Sequence, residues 1–129
     1  MSTTLKPIAS QVIVITGATS GIGLTTARMA AKQGAKLVVA ARDEDALDKL
    51  VSEIRQAGGE ALAFPVDVGV KKEVTALGNA AVQRFGRIDT WINNAGVSIF
   101  GRNEDIAIED MQRLFDTNYW GVVLSLIHI

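Results

Sequence analysis

Apolar positions along this chain fall into short continuous runs alternating with helical stripes. Val12-Ile13-Val14-Ile15 is an unbroken β-branched run, the composition of a strand buried on both faces of a parallel sheet. It stops at Thr16-Gly17-Ala18-Thr19-Ser20-Gly21-Ile22-Gly23, and an alanine-rich stretch from Ile22 to Gln33 follows, with Gly34 placed to end it; a first strand and a first helix are expected. Lys36 to Ala41 repeats the buried-strand pattern. Asp43 then offers a side-chain oxygen to cap a helix whose Leu47, Leu50, Val51 and Ile54 recur at i, i+3, i+4 and i+7, and Gly58-Gly59 ends it. A third strand is expected around Ala61 to Val66, then a helix with Val74, Leu77, Ala81, Val82 and Phe85 on one face, then a fourth strand at Ile88 to Ile92.

Four strands separated by helical segments of this length form a βαβ series. Parallel strands need right-handed crossovers, so the helices cover both faces of one sheet, and the expected fold is α/β, doubly wound and Rossmann-like, in three α/β/α layers. Ligands of such sheets bind at the carboxyl ends of the strands where strand order reverses, here between the first and fourth strands. A single dinucleotide-binding domain over 1–129 is expected, since no repeat, low-complexity tract or linker divides the chain.

Composition narrows the partners. Hydrophobic residues make up 48% and charged residues 21% of 129, ordinary globular usage and far from the disordered range. Thirteen basic residues against fourteen acidic ones, with no basic block, argue against a nucleic-acid partner. With no cysteine and only His128, thiolate and histidine-cluster metal sites are not expected. Met1 to Ile8 holds no apolar run, and no stretch reaches the roughly 18 apolar residues of a membrane helix, so a cytoplasmic location is the expectation.

Gly17, Gly21 and Gly23 follow a strand and open a helix. Backbone amides and the positive helix end can there face a pyrophosphate with no Cβ in the way. Thr16-Gly17-x-x-x-Gly21-Ile22-Gly23 resembles the glycine motif of the short-chain dehydrogenase/reductase family, and Asn93-Asn94-Ala95-Gly96 after the fourth strand and Asp67-Val68 after the third resemble two more of its signatures. The resemblance implies a nicotinamide dinucleotide cofactor. Thr19, Ser20 and Ile22 would line its phosphate and ribose path, Asp67 and Val68 its adenine, and Asn94, Ala95 and Gly96 the floor beneath it. Taken alone, Asp67 also suits a turn before a helix, and Asn94 and Gly96 suit tight turns.

An acidic residue ending the second strand would bind the ribose hydroxyls of NAD, whereas an arginine accommodates the 2′-phosphate of NADP. Ala41 and then Arg42 stand there, which favours NADP while leaving NAD open: Arg42 can instead be a solvated surface residue, with Asp43 turned toward the ribose.

The family's acid/base pair, Tyr-x-x-x-Lys, is missing. Tyr119 is the one tyrosine, position 123 is Val, and no lysine follows Lys72, so among catalytic groups only Asn118 is a candidate, in Asp116-Thr117-Asn118-Tyr119-Trp120-Gly121, which resembles the stretch carrying the family's active-site asparagine. Asn118 also suits a helix cap. Tyr119 and Trp120 are expected as core or subunit-contact aromatics, and Phe64, Phe85, Phe100 and Phe115 as packing groups. Leu124-Ser125-Leu126-Ile127-His128-Ile129 departs from the family and matches the translation of a transposon-end sequencing adapter. The expectation is therefore an N-terminal fragment whose natural sequence runs to about Val123, without activity of its own, with an open sheet edge, an uncovered apolar patch and poor solubility.

The resemblance implies that the complete protein transfers hydride between NADP(H) and a small-molecule carbonyl or alcohol, and that it forms a homodimer or homotetramer through helices at and beyond Asn118. The competing classes are a dinucleotide-binding sensor or scaffold that never turns over, and a sugar epimerase or dehydratase of the related extended type, whose glycine spacing differs.

Overall fold

A computed structural model describes residues 4–128. Four parallel strands, β1 (Val12–Thr16), β2 (Lys36–Ala41), β3 (Glu60–Pro65) and β4 (Thr90–Ile92), form one sheet in the order β3-β2-β1-β4. Helices α1 (Gly21–Lys32), α2 (Glu44–Gln56) and α3 (Lys71–Phe85) are the crossovers between them. β1 is central, with β2 on one side and β4 on the other, and all five of its residues are buried, which is why its sequence shows no polar alternation. Side chains alternate between the two faces. Ile13, Ile15, Leu37 and Val39 pack with Ala27, Ala30, Leu47, Leu50, Val51 and Ile54 of α1 and α2, while Val14, Val38, Ala40 and Trp91 pack with Val74, Leu77 and Ala81 of α3. The sheet is thus covered on both faces, as its apolar runs require.

The expected elements are present, with shifts that have local causes. Asp43 caps α2 by accepting from Ala46 N at 3.0 Å. Beyond β3, the ladder continues one residue through Val66 N donating to Ala41 O at 2.8 Å, and Pro65, which has no N–H, sits at the strand end. β4 is shorter than expected at its start. There Asp89 N donates to Val12 O at 2.9 Å, but Val12 N donates to the Asp89 carboxylate at 2.8 Å, so a side chain replaces the backbone acceptor. Val82, expected on the inner face of α3, is 49% exposed: eight residues beyond Val74 places it about 80° round the helix, and Gly78 takes the inner position instead.

After β4, a loop leads to α4 (Ile108–Phe115), a π-helical turn at Asp116–Trp120 and α5 (Gly121–Leu126). Asp116 and Gly121 keep right-handed helical dihedrals, so the three pieces run on as one rod with a π bulge in its middle. α5 packs on α3, bringing Leu124 to the second core cluster and stacking His128 on Trp91 with ring centroids 6.0 Å apart. Among the described residues β4 pairs only with β1. Phe100 (95% exposed) and Phe115 (61%) correct the expectation that they pack inside; Tyr119 and Trp120 are about half exposed and meet edge to face. Among the described residues no helix is long and apolar enough to cross a membrane.

Candidate functional site

The turn after β1 is built around absent side chains. Gly17 adopts φ +64° and Gly21 φ +50°, conformations that cost an L-residue a Cβ clash. Gly23 is forced by a neighbour instead: a Cβ there would overlap the Gly17 carbonyl oxygen and Asn94 Nδ2. At Gly21 a Cβ would meet nothing within 4 Å, so this point of the turn faces open space. The first α-helical bond of α1 runs from Leu24 N to Ser20 O, and Ser20 caps with no side-chain bond. The amides of Gly21, Ile22 and Gly23 therefore remain as donors at the positive end of a helix, the arrangement that receives a phosphate.

Thr16 ties this turn to the segment after β4. Its buried hydroxyl accepts from Asn94 N and Ala95 N, both at 3.1 Å, and donates to Ile92 O at 3.4 Å. Asn94 Nδ2 donates to Thr16 O at 3.1 Å and Gly17 O at 3.0 Å. Asn94 thereby acts as a bracket beneath the glycine turn.

A cleft of about 230 Å³ opens at the carboxyl ends of β1, β2 and β3. Of the residues singled out from the sequence, Gly17, Thr19, Ser20, Arg42, Asp67, Val68, Ala95 and Gly96 line it together. Gly21, Ile22, Gly23, Asn94 and Asn118 do not: the Ile22 side chain is 79% exposed outside it, and Gly23 and Asn94 lie under its wall. Asn118 is in the π bulge, where Val97 N donates to its Oδ1 at 2.8 Å and its Nδ2 donates to Val97 O at 2.7 Å. This two-point grip fixes the loop carrying Gly96 and Val97, so Asn118 is neither a free polar group nor a helix cap. Bulges of this kind are uncommon and frequent at functional sites.

Asp43 lines the cleft as well, but one carboxylate oxygen is committed to its α2 cap. Asp67 is both a turn former and a wall of the cleft: Oδ1 accepts from Gly69 N at 2.9 Å and Oδ2 from Arg113 Nη2 at 2.6 Å, while its own N donates to Glu73 at 2.6 Å. Partial burial opposes its ionisation, but the Arg113 guanidinium, the Gly69 amide and the charge of Arg42 outweigh that and hold its carboxyl below the ordinary range. Arg113 and Thr117, which also line the cleft, were not indicated by the sequence. They come from the rod after β4, 46 or more residues from Asp67 in the chain, and no local pattern signals that meeting.

Residues 11–128 match the family described as short chain dehydrogenase. The chain is 55% identical over 119 residues to Uncharacterized oxidoreductase YxnA of Bacillus subtilis (strain 168), covering 92% of this chain and 33% of that protein. Among solved structures, it superposes with TM-score 0.93 on a short-chain dehydrogenase/reductase from Burkholderia phymatum in complex with NAD, at 36% identity over 96% of this chain and 44% of that one. It superposes with TM-score 0.89 on the L-sorbose reductase from Gluconobacter frateurii complexed with NADPH and L-sorbose, at 32% identity over 94% of this chain and 46% of that one. The chain thus spans between a third and a half of the length of these relatives.

Proposed function

This chain belongs to the short-chain dehydrogenase family, and from that premise we propose that it is the dinucleotide-binding part of an oxidoreductase moving hydride between NADP(H) and a carbonyl or alcohol carbon of a small molecule. The observation that supports it most is the glycine turn, whose uncapped helix end opens at the same strand ends as a cleft holding Arg42. When bound, the nicotinamide supplies the hydride chemistry.

The residues of this chain bind and orient. Backbone amides of Gly21, Ile22 and Gly23 take the pyrophosphate, with Gly17, Thr19 and Ser20 along its path. Asp67 and Val68 flank the adenine; Ala95 and Gly96 form the floor, held at its height by Asn94 and Thr16. Arg42 reads the 2′-phosphate, which favours NADP over NAD because Ala41 leaves no carboxylate at the strand end to repel it. Structural neighbours hold either NAD or NADPH, so the preference rests on Arg42. The Asn118 side chain positions the loop of Gly96 and Val97, and Asn118 is the catalytic candidate that this chain carries.

The acid/base tyrosine and lysine of the family are assigned to the part of the relatives that this chain does not span, since Tyr119 is followed at the fourth place by Val123 and its ring lies against Trp120. Subunit pairing is assigned to the face of the α4-to-α5 rod that exposes Phe115, Tyr119 and Trp120.

The test is titration of the gene product, extended to the relatives' length, with NADPH and NADH, followed by turnover assays on aldehydes and ketones read by NADPH consumption. NADPH binding tighter than NADH, weakened about tenfold by Arg42→Ala with NADH nearly unchanged, is expected from loss of a charge-assisted phosphate contact. Binding of neither cofactor refutes the proposal. Binding without turnover, in a product that lacks the tyrosine and lysine, replaces the enzyme by a dinucleotide sensor.

A further inference from the structure

Arg113 lies in none of the sequence motifs, yet it reaches the cleft from α4 and ends on Asp67 at 2.6 Å. The ion pair is partly shielded, with 44% of the Arg113 and 24% of the Asp67 side chain exposed. Four charged groups line the cleft: Arg42 and Arg113 against Asp43 and Asp67. Removing Arg113 would leave two carboxylates facing one guanidinium, and the Asp67 carboxylate would keep only the Gly69 amide to satisfy it. Asp67 would also be left as an unpaired carboxylate in the cleft that Arg42 lines, and the charge of Arg42 already acts on it.

A carboxylate beside a phosphate-binding arginine harms affinity in two ways: it repels the dianion and it draws the arginine away from it. Both effects scale with ligand charge at the adenosine end, so they fall on a 2′-phosphorylated dinucleotide and spare one with a free ribose hydroxyl.

We propose that Arg113 is a specificity-determining positioning residue, which by pinning and neutralising Asp67 leaves Arg42 free to bind the 2′-phosphate of an adenosine dinucleotide. This rests on the NADP reading given above and deepens it: coenzyme preference is set by a pair of arginines, one reading the phosphate and the other silencing the carboxylate that would oppose it.

The experiment measures dissociation constants of NADPH and NADH by fluorescence titration of the full gene product. Wild type, Arg113→Leu, Arg113→Lys, Asp67→Asn and the Asp67→Asn/Arg113→Leu double variant are compared. Arg113→Leu should weaken NADPH about fivefold, the size of one partly exposed ion pair, and leave NADH within about twofold. Arg113→Lys should restore most of the loss, and the Arg113→Leu effect should shrink toward nothing in the Asp67→Asn background, where no charge is left to unmask. Equal weakening of both cofactors, or an effect undiminished in the double variant, overturns the inference and makes Arg113 a packing residue. Asp67→Asn alone should leave NADPH within about twofold of wild type, since Arg113 already silences that carboxylate; if Arg113→Leu does not fold, Arg113→Gln takes its place in the same comparison, and a loss of NADPH preference that Asp67→Asn removes supports the inference while one that Asp67→Asn leaves undiminished overturns it. A wild type that prefers NADH removes the inference while the dinucleotide reading stands; one that binds neither removes both.

Discussion

Replacing Gly23 by Ala tests whether the glycine turn is held by packing or only by backbone freedom. Gly23 has no positive φ, so the change asks nothing unusual of the backbone and, by helix propensity alone, should stabilise α1 by about 1 kcal/mol. The structure predicts the opposite. The new methyl would overlap the Gly17 carbonyl oxygen and Asn94 Nδ2 and lie 2.9 Å from the Gly17 carbonyl carbon. Two of these atoms are backbone of the turn, and the third belongs to a side chain engaged at 3.1 Å and 3.0 Å with Thr16 O and Gly17 O. Relieving the overlap costs about 1–3 kcal/mol, and loosening the two Asn94 bonds adds about 1 kcal/mol each. The net expectation is a loss of about 2–4 kcal/mol. Urea unfolding of the full gene product, followed by tryptophan fluorescence and circular dichroism, measures it. The matched variant Gly21→Ala meets nothing within 4 Å but holds φ +50°, so it should cost about 1 kcal/mol in backbone strain while placing a methyl in the open mouth of the turn and weakening dinucleotide binding. If Gly23→Ala melts with wild type, or no lower than Gly21→Ala, the bracket formed by Gly17, Gly23 and Asn94 does not constrain the turn and the reasoning fails.

Thr16→Val keeps the shape but removes the acceptor of two backbone amides, Asn94 N and Ala95 N, at a position 1% exposed; a loss of about 2–4 kcal/mol is expected in the same unfolding assay, and Thr16→Ser should recover most of it. Asp89 accepts from Lys6, Arg87 and Val12 N, and the Lys6 bond above all, with the other two, outweighs the opposing effect of burial and holds its carboxyl well below the ordinary value of 3.8. A depressed carboxyl stabilises the folded state above its unfolded value and loses that contribution as pH falls through the folded one. Asp89→Asn should therefore lower stability by about 1 kcal/mol at neutral pH, with the gap from wild type closing below pH 3.8; a gap that stays constant on acidification counts against the charge argument.

Much of this molecule was legible before folding because its signals are local. The apolar runs 12–15 and 37–41 mark β1 and β2, since a strand covered on both faces is apolar with little alternation, and the heptad-like spacing of Leu47, Leu50, Val51 and Ile54 states which face of α2 is buried. Asp43 signalled its own cap through an oxygen three residues from the amide it accepts. Pattern and structure part where an apolar residue stands at the margin of its stripe: Val82 lies about 80° round α3 from Val74 and stays exposed, while Gly78, which has no side chain to mark it as inner, is buried. Phe100 and Phe115 are apolar, which says nothing of what covers them.

By itself, then, the sequence determined the element order, the parallel class of the sheet, and the glycine turn with the amides it leaves free, because each depends on residues within one or two turns of chain. Only the tertiary structure decided that Thr16 and Asn94 brace that turn across some 78 positions, that Asn118 grips Val97 rather than capping a helix, and that Arg113 closes on Asp67. Those contacts join segments whose proximity follows from the strand order β3-β2-β1-β4. A crossover brings distant residues together without leaving any periodic trace in the sequence of either one.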